Sequence, residues 1–253
     1  MLRGTQALAT PPDDLREGTA GYVGAVDLAA VREAPASELA RGSVAAARNA
    51  WGLAEDAELL AGAERLARAY SLAGLAVEEV GKAAGLATLA AMPENVRAQA
   101  PLGRMLEWHQ MKLVAGHMVA AVPFSSPTLA VTYATMPLTE VAWILDEAQA
   151  SARDIDRLKQ RGLYVDVDHT GRVREPSEVT AAEVRVQLDR ARQATSATEV
   201  LLDPRAPAKL AHPGVAAVEF SRALVSAFTE TRPARTASAA ADVLLNAVNK
   251  LQS

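Results

Sequence analysis

The chain has 253 residues, of which 50% are apolar and only 4% aromatic, with alanine abundant throughout. Small apolar side chains pack as close helices better than as sheets, so the composition points to an all-α protein. The formal net charge of −4 argues against bulk attraction to nucleic acid and leaves room only for a local basic groove, while the lack of cysteine excludes disulfides and thiolate metal sites.

Residues 1–36 read as an N-terminal arm, rich in glycine, proline, threonine and charge, with a short helix expected over 22–34. Residues 37–202 read as a helical domain. Its first helix is SELARGSVAAARNAWGLAEDAELLA (37–61), with Gly62 as the break. A second helix is expected from about Glu64 to Ala91, before Pro93. A third is expected from about Arg104 to Val122, after Pro101 and Gly103. A proline-punctuated loop follows, and a fourth helix runs from about Leu138 to Gln160, with Gly162 as its end. Alternating apolar residues around the turn signal DHTG predict a small β-hairpin over about 163–174. Thr180 and Glu183 make a capping box that opens a fifth helix reaching about Leu202. Residues 203–253 read as a proline-rich linker and two closing helices, over 214–230 and 235–251. No secretory signal is visible at Met1, and the two most apolar windows, 69–92 and 113–136, are broken by charges or prolines. The expectation is a cytoplasmic protein with no membrane partner.

The second helix carries Glu78, Glu79 and Lys82 in an otherwise apolar stretch. Positions seven apart nearly superimpose on a helix, so Ser71, Glu78 and Lys82 share a mixed stripe, while Glu79 shares an apolar one with Leu72 and Leu86. A lone carboxylate on an apolar stripe is costly unless paired. Asn49 and Asp56 lie on one stripe of the first helix with Leu53 and Leu60, and the third helix offers His109 and Lys112 on one side. Together these groups predict a polar pocket shared by three helices. The competing interpretation is structural, with Glu78 and Lys82 a surface pair and Asn49 and Asp56 ties between helices.

The blocks AARNAWGLAEDAELL (46–60), ARAYSLAGLAVEEVGKA (67–83), WHQMKL (108–113) and GLYVDVD (162–168) followed by PSEVT resemble, in order and spacing, the AbiV-type abortive-infection family of the HEPN superfamily. The resemblance covers about residues 40–200. It implies a HEPN-like antiparallel helical bundle, with the hairpin as an insertion and the closing helices as accessories. It also implies a role in phage defence and a homodimer. Many HEPN proteins are metal-independent ribonucleases with an arginine four to six residues before a histidine, a pattern met here by Arg104 and His109. On that basis His109 is the expected acid-base group of an endoribonuclease acting on RNA, with Lys112 and Arg104 holding the phosphate. Residues five apart on a regular helix are about 140° apart, which makes Lys112 the better placed cation. Glu78, Glu79, Asn49 and Asp56 would orient these groups, with Ser71 and Lys82 in the supporting network.

No cofactor and no metal are expected. Asp166, Asp168 and His169 fit a hairpin turn better than a metal site, and Glu107 and His109 lack the spacing of a di-iron bundle. His117 reads as a core or edge histidine, and His212 as a linker residue. The alternative to catalysis is a non-catalytic helical module that binds a phage or host protein as its trigger. A third reading is a small-molecule or nucleotide sensor that uses the same pocket.

Overall fold

Alanine sets the spacing at the centre of the molecule. The computed structural model describes residues 27–102, 106, 108–121, 135–163, 166–167, 173–174, 179–230 and 236–252. Among these, helix α1 is Leu28–Glu33, α2 Ala36–Gly62, α3 Leu66–Ala91, α4 Glu94–Arg97, α5 His109–Ala121 and α6 Leu138–Leu163. Strands β1 (Asp166–Val167) and β2 (Val173–Arg174) precede α7 (Ala181–Ala197), a 3-10 turn (Glu199–Leu202), α8 (Ala206–Ala211), α9 (Val215–Glu230) and α10 (Ala237–Gln252). The fold is all-α.

Helices α2 and α3 form an antiparallel hairpin. The buried stripe Ala40, Ser43, Ala47, Ala50, Ala54 and Ala57 of α2 repeats at helical spacing. On α3, Ala69, Ala73, Ala76, Val80 and Ala83 are buried. The Ser43 hydroxyl, fully buried, donates to the Ala83 carbonyl oxygen at 2.8 Å. Helix α2 ends at Gly62, as expected. Its end is a Schellman turn, in which Glu64 N–H donates to Ala61 O and Arg65 N–H to Leu60 O, with Glu64 at φ 56°.

Helix α3 is the axis of the bundle and touches α2, α5, α6, α7 and α9. Its contact with α5 is a close backbone approach. A Cβ built on Gly81 would overlap the Lys112 carbonyl oxygen and lie 2.6 Å from its carbon. A Cβ on Gly116 would overlap the Val77 carbonyl oxygen. These pairings run in opposite chain directions, so α5 is antiparallel to α3. Gly74 faces α6, where a Cβ would come within 2.8 Å of Ile155 Cγ2. The closing helices pack onto this frame. The Ser221 hydroxyl of α9 lies 3.2 Å from the Thr88 carbonyl oxygen of α3, and α10 touches both α5 and α6.

Several expectations from sequence need correction. The third helix, expected from about Arg104, is described as His109–Ala121, and Arg104 itself lies outside the described residues. Trp108 is non-helical and buried, and its carbonyl accepts the Lys112 N–H at 3.2 Å. The fourth helix runs through Gly162 to Leu163. The hairpin expected over 163–174 comes down to one two-residue antiparallel pair, with Asp166 opposite Arg174 and Val167 opposite Val173. The described residues do not support a larger β insertion, and the DHTG turn lies outside them. The capping box is present: the Thr180 hydroxyl accepts the Glu183 N–H, and the Glu183 carboxylate accepts the Thr180 N–H at 2.7 Å. That helix ends at Ala197, and the stretch to Leu202 is a 3-10 turn. The stretch expected to be a linker contains helix α8. No helix among the described residues is long and apolar enough to cross a membrane.

Candidate functional site

Of the two adjacent glutamates on α3, Glu78 is the buried one, at 3% exposure. The mixed stripe therefore faces inward, and the stripe of Leu72, Glu79 and Leu86 is half-exposed. Stripe composition alone points the other way. The Gly81 contact explains the outcome, because it draws α5 against this side of α3 and covers Glu78.

Burial of a carboxylate requires partners, and α5 supplies them. His109 Nδ1 lies 2.8 Å from Glu78 Oε2, and Lys112 Nζ lies 3.7 Å from the same oxygen. An ionised carboxylate only accepts, so His109 Nδ1 carries the proton and donates it. The neutral ring then leaves Nε2 as a base. The His109 side chain is 62% exposed, whereas that of Lys112 is 12% exposed. One buried carboxylate thus fixes the tautomer of an open imidazole, with a largely buried ammonium balancing its charge. Such an arrangement can take up or release a proton at a solvent-facing nitrogen.

Glu79 belongs to a different pair. It accepts from Lys82 Nζ at 3.4 Å, one helical turn on, with both side chains partly exposed. Ser71 is fully buried, but its hydroxyl donates to the Ala67 carbonyl of its own helix at 2.9 Å, so it is not part of the Glu78 cluster. Asn49 and Asp56 are exposed, and neither makes a side-chain hydrogen bond or ion pair among the described residues. They lie about 160–180° around α2 from Glu58. Glu58 accepts Arg192 Nε at 2.7 Å and so marks the side of α2 that faces α7. Asn49 and Asp56 occupy the opposite flank, with the half-buried Leu53 and Leu60. Among the described residues, the expected shared pocket therefore brings together Glu78 of α3 with His109 and Lys112 of α5, without Asn49 and Asp56 of α2. Arg104 and Glu107 lie outside the described residues. No group of three or more His, Asp or Glu that could hold a metal ion occurs among the described residues.

One feature escaped the reading of the sequence. Gly81 and Gly116 set the α3–α5 approach, and their only signal was glycine inside helices that otherwise favour alanine. His117, expected to be a core or edge histidine, is a core one. Its Nδ1–H donates to the Leu113 carbonyl at 2.8 Å, and its Nε2 is buried with no hydrogen-bond partner. Burial holds its pKa down to about 4; the Leu113 bond opposes this, and the charge of Arg190 adds to it. At neutral pH His117 is an uncharged core group.

A family model, HEPN_AbiV, described as AbiV, matches residues 38–196. The match takes in nearly all of α2, every element from α3 to β2, and α7 up to its last residue. Helices α8, α9 and α10 lie beyond it. Neither a curated protein nor a solved structure matches the chain.

Proposed function

Since the chain belongs to the AbiV family of HEPN proteins, a family of abortive-infection phage defence, we propose that it is a defence effector that acts on RNA through His109. The observation that carries this reading is the bond from His109 Nδ1 to buried Glu78, which leaves Nε2 of an open imidazole free for proton transfer. His109 Nε2 takes the proton of a ribose 2′-hydroxyl as its oxygen attacks the adjacent phosphorus. The P–O5′ bond breaks, and a proton goes to the leaving 5′ oxygen. Lys112 supplies positive potential for the phosphate, which accumulates charge in the transition state. Glu78 keeps the ring oriented and stabilises the imidazolium that forms. Arg104 completes the arginine-histidine pattern as a second cation. Lys82, paired with Glu79, lies one turn beyond Glu78 on α3, and no metal takes part.

Association of two copies fits the half-buried leucines on the open flanks of α2 and α3: Leu53, Leu60, Leu72, Leu75 and Leu86. A homodimer would cover them.

The test uses purified wild type and His109→Ala, each incubated with labelled mixed RNA in excess EDTA. Wild type is expected to cleave, and a folded His109→Ala variant is not. Cleavage by the variant at the wild-type rate would sink the assignment. Silence of both proteins, with phage protection intact in the variant, would favour the alternative of a module that binds a phage or host protein.

A further inference from the structure

We infer that Gly81 and Gly116 are positioning residues of the site, holding α3 and α5 close enough for buried Glu78 to reach His109. This rests on the reading of His109 as the acid-base group. An interior helix position gains from alanine over glycine, and these helices use alanine freely, so glycine at 81 and 116 goes against local preference. The geometry supplies the reason. Any Cβ at 81 would overlap the backbone of Lys112, the residue whose side chain pairs with Glu78. Any Cβ at 116 would overlap the Val77 carbonyl oxygen and lie 2.9 Å from Val77 Cγ1. Val77 is the neighbour of Glu78. Backbone is the obstacle in both places, so side-chain rotation cannot relieve the overlap and α5 must move.

His109, Lys112 and Gly116 follow one another at i, i+3 and i+7, a single stripe of α5. Gly81 lies one turn beyond Glu78 on α3. The glycine contacts therefore bracket Glu78 along this seam, with His109 one turn beyond the Gly81–Lys112 contact. Displacing α5 lengthens the 2.8 Å bond from Nδ1 to Glu78, which is the contact that fixes the tautomer. Gly74 provides a matched control. A Cβ there meets only the Ile155 side chain of α6, at 2.8 Å, and no atom of α5 within 4 Å.

The experiment compares Gly81→Ala, Gly116→Ala and Gly74→Ala with wild type. Nitrogen chemical shifts of the histidine rings report the tautomer of His109, and RNA cleavage is measured alongside. Wild type and Gly74→Ala are expected to show a fixed Nδ1–H form. Gly81→Ala and Gly116→Ala are expected to lose it and to cleave RNA about 100-fold more slowly, as a displacement near 1 Å in a site can cause. Helical circular dichroism and a cooperative melt identify the folded variants, and if Gly81→Ala does not fold, Gly116→Ala decides. A folded glycine-seam variant that keeps the Nδ1–H form would overturn the inference. So would equal loss of the signal in Gly74→Ala. The tautomer is read without catalysis, so an inactive wild type would count against the proposed function and not against the positioning role.

Discussion

Helix α5 carries two histidines, His109 and His117, whose surroundings are opposite. His109 opens the helix, keeps most of its ring in solvent and donates to a buried carboxylate on α3. His117 lies two turns later, donates to its own backbone and has a buried, unpartnered Nε2. Both rings donate through Nδ1, so the tautomer is the same. What differs is the partner and the access. A carboxylate accepts the ring N–H at one end, and a buried core holds the pKa of the other ring down. One short helix thus holds an imidazole available for chemistry and another fixed as packing.

The sharpest way to break this comparison is to remove the carboxylate. Glu78→Ala leaves the Lys112 ammonium largely buried without its partner and releases His109. Stripping one member from a buried charge cluster costs about 3–5 kcal/mol, so a fall of that size is expected in denaturant unfolding. RNA cleavage should fall to the level of His109→Ala. The double variant Glu78→Ala, Lys112→Met should regain part of the stability, because no charge is then buried unpaired, but none of the activity. If the double variant is no more stable than the single one, Lys112 does not depend on Glu78 as described.

The second test addresses the dry end. The pKa of His117 in the fold is held down to about 4, below the ordinary 6.5, so the unfolded chain binds this proton more readily. Its contribution to stability is fully present above pH 6.5 and is lost as pH falls through 6.5 to 4. A shift of this size corresponds to about 3 kcal/mol. Unfolding free energies at pH 7.5 and pH 4, in wild type and in His117→Leu, isolate the effect because the other groups cancel in the difference. Wild type should lose about 3 kcal/mol more than the variant on acidification. Equal losses would show that His117 is not a buried neutral group.

The contrast between the two histidines also shows what the sequence could reveal. Helical periodicity, the Thr180–Glu183 box and proline punctuation were enough to place the long helices, because those signals are local. The cluster was half legible. Glu78, His109 and Lys112 were candidates by type and spacing, and the i, i+3 relation of His109 and Lys112 holds in the structure. Which glutamate is buried was not legible, because it depends on which face of α3 receives α5. That choice is made by the backbone approach at Gly81, a contact between residues far apart in sequence. Asn49 and Asp56 looked equivalent to Glu78 on a helical wheel, since a wheel shows a stripe and not the neighbour it faces. The buried stripe from Ala40 to Ala57, the Ser43–Ala83 bond and the Glu58–Arg192 pair orient α2, and those contacts again span distant residues.

The smallest expected effect sharpens the cause of the depressed His117 pKa. Burial is its leading cause, and the like charge of Arg190 on α7 adds to it. Arg190→Gln removes the charge while keeping a polar side chain of similar reach. If burial dominates, the pKa of His117 followed by NMR should rise by less than about one unit, worth under about 1.4 kcal/mol, and stay below 6.5. A return to 6.5 would make Arg190 the cause and the core around His117 wetter than described. The same substitution should leave His109 unchanged, because Glu78 and Lys112 set its surroundings and Arg190 lies on another helix. A matching shift at His109 would mean that the two ends of α5 are electrostatically one site. The distinction between an imidazole held for chemistry and one held for packing would then fail.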